Sequence, residues 1–439
     1  MLRSRAYLKL LVLAAVLGAP ISALAYGFLA LVDRLQRLTY RDLPEALGLG
    51  GTPVWWPLPL LALAGLLVGL TIRYLPGTGG HEPVKGMQMS GVAAPAELPG
   101  ILLAALASLA LGAVLGPEGP LIALGGGLAA LVARWSRREL TPTAYGVIGA
   151  TGSFAAVSTL LGSPLLGAFL LMEASVLGGA WLGVIMVPGL LAAGVGSLVF
   201  LGLGRWTGLG TYSLVLSDVP AAHPPDLGEF GWALVVGLAA AVVGTAIRGA
   251  GTFLQARVAR ARIPLSVAAG LAVGGLAIAY AEGSGKPATE VLYSGQAALD
   301  PLLVGSAEYT VGALLLLLVC KALGYAFSLS AFRGGPVFPS MFVGAVGGIA
   351  LSHLPGLTLT AGFAMGVGAM SVAMLKLPLT SVMLATLLLG HAGITVMPLV
   401  IVAVAVCYTA TAWLAPRRPK PGPGAGPQAG AGAGAGASA

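Results

Sequence analysis

The chain has 439 residues, of which 57% are hydrophobic and only 9% charged, with a mean hydropathy of +0.94. A soluble domain carries roughly a quarter of its residues as Asp, Glu, Lys and Arg, so this composition cannot cover a water-facing globule and excludes a soluble enzyme as well as a disordered or fibrous chain. The net charge of +8 does not signal a nucleic-acid partner, because the basic residues stand at the ends of apolar segments; the chain reads as a polytopic protein whose partner is membrane lipid.

A bilayer crossing needs roughly 20 apolar residues in a helix. Arg3, Arg5 and Lys9 precede the first such run, 10–32. That run is too long for the core of a cleaved signal and lacks a well-placed A-x-A site, so it is expected to remain as a membrane helix. Further candidate spans follow at 54–72, 101–115, 145–172, 174–204, 230–247, 263–281 and 309–332. The runs 336–375 and 377–415 are each long enough for two crossings. Arg417, Arg418 and Lys420 follow the last run, and basic flanks at both ends predict cytoplasmic termini and an even number of crossings. Beyond Pro416 the sequence turns to Gly, Ala and Pro, a low-complexity tail at 417–439 that is expected to be disordered and cytoplasmic. Cys320 and Cys407 lie within apolar runs, so neither a disulfide framework nor a zinc site is expected, and nothing implies a cofactor.

The 67 Gly and 30 Pro are heavy for simple spanning helices. Small residues let helices approach closely in lipid. Broken helices, however, are tolerated at membrane depth only where protein or a water-filled cavity surrounds the freed backbone. That pattern favours a transporter or channel over a receptor-like bundle. An internal similarity agrees. GPEGP at 116–120 and the LIALGGG after it resemble GGPVFP at 334–339 and the SMFVGAVGG after it; SPLLGAFLL at 163–171 resembles LPLTSVMLA at 377–385. The offset of about 215 residues predicts a first transmembrane repeat at 1–219 and a second at 220–416, joined through the Pro-rich stretch 217–229. Such repeats belong to two-fold transporter folds, with the substrate held where the repeats meet.

Glu118 is the most informative residue. A carboxylate at membrane depth is costly unless it faces a cavity or a partner. Gly116 and Gly119 allow a tight turn around it, and Pro120 suits the first turn of a new helix. The free N–H groups there attract an anion, either the Glu118 side chain or a solute. A carboxylate competing with a solute for those donors acts as a gate; the plainer reading is a helix cap at the interface. The segment 75–83, LPGTGGHEP, also breaks a crossing with glycines, and Thr78 adds a hydroxyl to a flexible turn suited to an anion, unless the segment is an ordinary surface loop. His81–Glu82 is not a zinc motif, because Lys85 stands where H-E-x-x-H needs its second His. Glu173 is either a carboxylate at the aqueous end of its helix or part of a proton or water pathway. Lys321, Arg333 and Lys376 either raise the local potential for anions or snorkel to the interface. His391 is expected to be packed or interfacial. An intramembrane enzyme would need a catalytic pair, and the chain has no G-x-S-x-G, H-E-x-x-H or G-x-G-D motif.

Together these fragments resemble the CLC chloride channels and proton–chloride exchangers over roughly 10–415. GPEGP with Glu118 resembles the family's G-[KR]-E-G-P gating motif. GTGGH at 77–81 resembles G-S-G-I-P and puts Thr78 where the family has an anion-coordinating serine. GGPVFP at 334–339 resembles G-G-x-F-x-P, whose amides help hold the central anion. The resemblance implies an all-α membrane fold of two inverted-topology repeats of tilted and broken helices. It also implies a homodimer with one pore per subunit and an anion site at Thr78, Gly79, Gly116, Gly119, Val337 and Phe338, gated by Glu118. Protonation of Glu118 would favour the open form, so transport should rise as external pH falls. The chain departs from the pattern in four places. Pro117 replaces the basic residue, and Val337 stands where Phe is usual. Ala174 aligns with the exchangers' internal glutamate, with Glu173 one residue before it. The coordinating tyrosine falls in the Pro-Gly tail beyond Trp413, while Tyr408 lies too early and is expected to pack. Ala174 and the missing tyrosine tilt the expectation to a chloride channel, with a proton-coupled chloride or fluoride antiporter as the alternative.

Overall fold

The computed structural model describes residues 5–87, 92–135, 142–174, 180–208 and 214–415; the Gly-Ala tail 417–439 lies outside them. Every regular element among these residues is helical except one isolated β-bridge. The first half contains α1 (Arg5–Arg37), α2 (Leu43–Ala46), α3 (Pro57–Tyr74), α4 (Leu98–Ala110), α5 (Glu118–Trp135), α6 (Pro142–Leu161), α7 (Pro164–Ala174) and α8 (Ala180–Thr207). The second contains α9 (Leu227–Val258), α10 (Arg262–Ser284), α11 (Leu299–Val304), α12 (Val311–Ala331), α13 (Val337–Ser352), α14 (Leu359–Leu375), α15 (Pro378–Leu388) and α16 (Gly390–Leu414). Among the described residues, seven helical stretches are long and apolar enough to cross a membrane, and shorter apolar helices lie between them.

Several apolar runs break where their glycines and prolines stand. The run 145–172 is two helices, divided at Gly162 (φ 63°) with Pro164 opening α7. The run 377–415, read as two crossings, holds one helix of 11 residues and one of 25. At about 1.5 Å per residue the shorter covers roughly 16 Å, half a bilayer core. Gly390, at φ 56°, makes the break. In 336–375 the two helices have 16 and 17 residues, about 25 Å each.

The packing repeats between the halves. α1 lies on α8 as α9 lies on α16, α5 on α6 as α13 on α14, and α6 on α8 as α14 on α16. The halves are joined by α3 against α10 and α7 against α15. Small residues set the closeness of the first joint. A Cβ at Gly65 would fall 2.3 Å from the Ser266 carbonyl oxygen, and one at Gly270 only 2.1 Å from that of Leu61. In lipid, this backbone contact replaces the hydrophobic drive that is absent between apolar helices. α14 is buried along nearly its whole length and α13 almost as fully. Leu198, Leu201, Val242, Phe253, Ile394 and Ile401 stand exposed on α8, α9 and α16, as suits a surface whose solvent is lipid. The segment 214–226 carries no helix and leads into α9, where Asp226 accepts the Glu229 N–H at 2.8 Å.

Candidate functional site

Between α4 and α5, and again between α12 and α13, the chain leaves the helix, and the two breaks meet. Gly116 N–H donates to the Gly335 carbonyl at 2.8 Å and Gly335 N–H to the Gly116 carbonyl at 2.6 Å. A break at membrane depth frees backbone donors that must find partners. Two serines supply them, each from the opposite half. Ser328 Oγ on α12 accepts the Val114 N–H at 3.0 Å, and Ser108 Oγ on α4 accepts the Arg333 N–H at 3.1 Å. Ser108 thus corresponds to Ser328, and Val114 to Arg333, across the internal two-fold.

Glu118 is the first residue of α5 and has no exposed surface. Its Oε1 accepts the Phe338 N–H at 2.9 Å, and Phe338 is the second residue of α13. One carboxylate therefore lies between two helix starts, where unpaired N–H groups and both dipoles favour negative charge. Pro336 carries no N–H, so the amide donors of this turn begin at Val337. Tyr325 Oη donates to the Pro336 carbonyl at 2.7 Å and fixes the turn from α12. The second oxygen, Oε2, has no hydrogen-bond partner in the protein. It sits in a cradle that only glycine permits: a Cβ at Gly116 would come 2.1 Å from it, and one at Gly335 1.8 Å. Gly119 faces the Gly334 carbonyl, 3.0 Å from where a Cβ would stand. Glu118 therefore does reach helix-start amides, but those of the other half, and it does so buried rather than at an interface.

Thr78 stands in a left-handed run, with Gly77 at φ 79°, Thr78 at 49°, Gly79 at 72° and Gly80 at 91°. A β-branched residue is rarely found there. Its side chain is exposed and Gly79 is buried. Arg333, which opens the second break, reaches the Thr78 loop: its Nε donates to the Thr78 carbonyl at 3.2 Å and its Nη1 to that of Phe332 at 3.2 Å. Snorkelling, one of the readings open for the basic residues, is overturned at two of them. Arg333 is 2% exposed and Lys321 not at all. Lys321 Nζ donates to the carbonyls of Glu290, Leu292 and Tyr293 at 3.1, 2.6 and 3.2 Å, because the turn carrying them folds back over α12. Lys376 and His391 are exposed.

Glu173 is not among the partners of Glu118. Its carboxylate accepts from Leu379 N–H at 2.8 Å, Thr380 N–H at 2.6 Å and the Thr380 hydroxyl at 2.5 Å, and so caps α15. Tyr408, expected to pack, is 45% exposed on α16. Sequence reasoning missed Ser108, Ser328 and Tyr325. The available signal was a serine near the end of each apolar helix that precedes a glycine break, Ser108 in α4 and Ser328, with Ser330 beside it, in α12.

Residues 64–411 match the family model described as voltage gated chloride channel. The chain belongs to the CLC family. Among curated relatives of this CLC chain are the "Putative ion-transport protein YfeO" of Salmonella typhimurium and that of Salmonella paratyphi A, each 28% identical over 362 residues, covering 80% of this chain and 82% of the relative. Solved structures of similar fold include a slow cyanobacterial Cl⁻/H⁺ antiporter (TM-score 0.75, 19% identity, covering 92% of this chain and 95% of that one). A CLC-type fluoride/proton antiporter gives 0.67 at 20% identity, covering 92% and 96%, and a eukaryotic CLC transporter 0.70 at 16%, covering 93% and 72%. The protein is thus a multi-pass membrane member of a family of anion channels and transporters, not an enzyme, and its fold is the inverted repeat of broken helices that the motifs implied.

Proposed function

We propose that this CLC protein conducts chloride or a similar small anion passively across the cell membrane, along a path gated by Glu118. The bond that carries the reading is the one from Phe338 N–H to Glu118 Oε1, at 2.9 Å. It places a carboxylate on donors that suit any small anion, so a permeating ion can take those amides only when the side chain leaves them. Protonation removes the charge that holds Glu118 there, and flux rises as external pH falls. Val337, Phe338, Gly116 and Gly119 frame this position, and Thr78 with Gly79 forms the inner approach. From the basic flanks we assign both termini to the cytoplasm, and from the motif pairs the repeats to 1–219 and 220–416. From the family we assign a homodimer with one pore per subunit.

Passive conduction is supported at Glu173. As a proton carrier it would have to give up three hydrogen bonds that cap α15, and its neighbour Ala174 cannot titrate. Proton-coupled exchange of chloride or fluoride is the second reading, favoured by the likeness to two antiporters. Purified protein in liposomes with a chloride gradient, with efflux and internal pH recorded together, tests both. The expected result is efflux with no coupled proton movement. Protons driven against their own gradient would establish the exchanger instead, and the absence of any anion flux from folded protein would reject the assignment.

A further inference from the structure

Two stretches of the chain carry arginines and no acid. Between Glu45 and Glu82 the only Asp, Glu, Lys or Arg is Arg73, and between Glu229 and Glu282 the only ones are Arg248, Arg257, Arg260 and Arg262. The packing of α3 on α10 brings the ends of these stretches together. Leu58 meets Gly274, Leu61 meets Gly270, Gly65 meets Ser266 and Gly69 meets Ile263, an antiparallel register. Carried one turn further, it sets Arg73, in the last turn of α3, beside the turn between α9 and α10. That turn is tight, with the Arg260 N–H donating to the Arg257 carbonyl at 3.0 Å, and Arg262 follows it as the first residue of α10. Four arginines therefore share one end of the α3, α9 and α10 group.

Among the described residues no carboxylate forms an ion pair with any of the four. Arg262 Nη1 is buried without an acceptor. Arg262 also places a cation at the positive end of α10, where Ala261 offers no side-chain cap. Arg73, Arg257 and Arg260 are exposed, and two of these lie over aromatic rings. Arg257 Cζ is 3.5 Å from the Phe253 ring centroid and Arg73 Cζ 5.5 Å from that of Tyr74; the two aromatic residues are themselves 58% and 68% exposed. An exposed ring beneath a guanidinium suits the headgroup level of a bilayer, where the ring meets acyl chains and the charge meets the polar boundary. Phosphate oxygens match the guanidinium fork and bind it in pairs. A phosphate joined to acyl chains would cover the rings as well, which a free phosphate would not.

We propose that Arg73, Arg257, Arg260 and Arg262 form a headgroup site for an anionic phospholipid. With the N-terminus assigned to the cytoplasm, α1 crosses outward and α3 returns, so the site faces the inner leaflet. The lipid phosphate lies among the guanidinium groups, and its acyl chains run past Phe253 and Tyr74. A basic cluster of this size at the inner surface selects acidic lipid over zwitterionic lipid. The site holds whether or not an anion passes along the Glu118 path.

Phosphatidylglycerol and phosphatidylcholine are titrated separately, in mixed micelles, into the detergent-purified full chain, and bound lipid is counted by native mass spectrometry. Wild type is expected to hold phosphatidylglycerol about tenfold or more tighter than phosphatidylcholine. Each arginine removed is expected to weaken phosphatidylglycerol binding about fivefold, the scale of one basic residue at an acidic membrane surface. Arg257→Gln/Arg260→Gln therefore loses about 25-fold, with phosphatidylcholine binding unchanged. Arg34→Gln/Arg41→Gln removes as much charge at and just beyond the end of α1, and its affinity for phosphatidylglycerol is expected to stay at the wild-type level. Equal affinity of wild type for the two lipids overturns the site, as does wild-type affinity in Arg257→Gln/Arg260→Gln or an equal loss in Arg34→Gln/Arg41→Gln. Should Arg257→Gln/Arg260→Gln not fold, Arg260→Gln alone decides, a fivefold loss supporting the site and no loss overturning it. Displacement of phosphatidylglycerol by millimolar inorganic phosphate overturns the lipid in favour of free phosphate.

Discussion

Glu118 and the two glycines that cradle it form one mechanical unit, and each member predicts a phenotype. Replacing Glu118 with Gln keeps the shape of the side chain and removes the charge that holds it on the Phe338 amide. Wild-type flux is expected to climb by up to about tenfold per pH unit while the protonated form is the minority. Glu118→Gln is expected to run at the acid-side rate at every pH, as liposome efflux between pH 5 and 8 will show. Gly335→Ala reaches the same end by crowding, since its Cβ would lie 1.8 Å from Oε2 and displace the carboxylate. Its flux should lose pH dependence with Glu118 intact. His81, in the loop beyond α3, offers a separate pH effect on stability. Burial first, and then the Arg333 and Lys85 cations, holds its imidazole below the usual 6.5, against the opposing pull of its bond to Gly86 and of Glu82. As pH falls through 6.5 the unfolded chain takes up the proton before the folded one, so stability is complete above that value and declines below it. The thermal midpoint in detergent should drop on acidification from pH 7 to 5, and His81→Gln should flatten that drop.

At the scale of elements, the two helix breaks hold because each borrows a hydroxyl from the other half. Ser108→Ala or Ser328→Ala leaves one buried N–H without an acceptor, a cost of about 1–3 kcal/mol. Because both serines brace one junction, Ser108→Ala/Ser328→Ala should depart from the sum of the singles, as measured by denaturation in detergent. Glu173 works at the same scale. Glu173→Gln weakens the cap on α15 by about 1 kcal/mol and is expected to lower the Tm without introducing or removing proton movement. The helix breaks themselves were legible in the sequence, because Gly116-Pro-Glu-Gly-Pro and Gly334-Gly-Pro can continue no helix at membrane depth. What escaped is long range. Nothing local shows that Ser108 meets Arg333, or that Glu173 reaches Thr380, because inverted repeats bring together residues some two hundred positions apart. Counting crossings failed at 377–415 for a related reason. In lipid a half-length helix is stable only when neighbouring helices cover its ends, and hydropathy does not reveal neighbours.

The molecule as a whole is two-fold in backbone and one-sided in chemistry. The bridge between Gly116 and Gly335 aligns Glu118 with Val337, so only one half brings a carboxylate to the junction. The other half brings Arg333 where the first has Val114. The repeated motifs made the symmetry readable, but not its function, because Arg333 lies just outside the matched glycines and reads as an ordinary flanking charge. An asymmetric pair of this kind predicts asymmetric control. With the N-terminus assigned to the cytoplasm, the loop after α3 that carries Thr78 is inner, and protons are then expected to reach Glu118 from the outer side. In planar bilayers with protein inserted in one orientation, acidifying the outer solution should raise the anion current several-fold. The same step on the inner side should leave it nearly unchanged. Equal responses from both sides would mean either that Glu118 is not the proton acceptor or that a second acceptor serves the inner mouth. Glu118→Gln separates the two, because it abolishes the outer response and leaves intact any inner response that belongs to another residue.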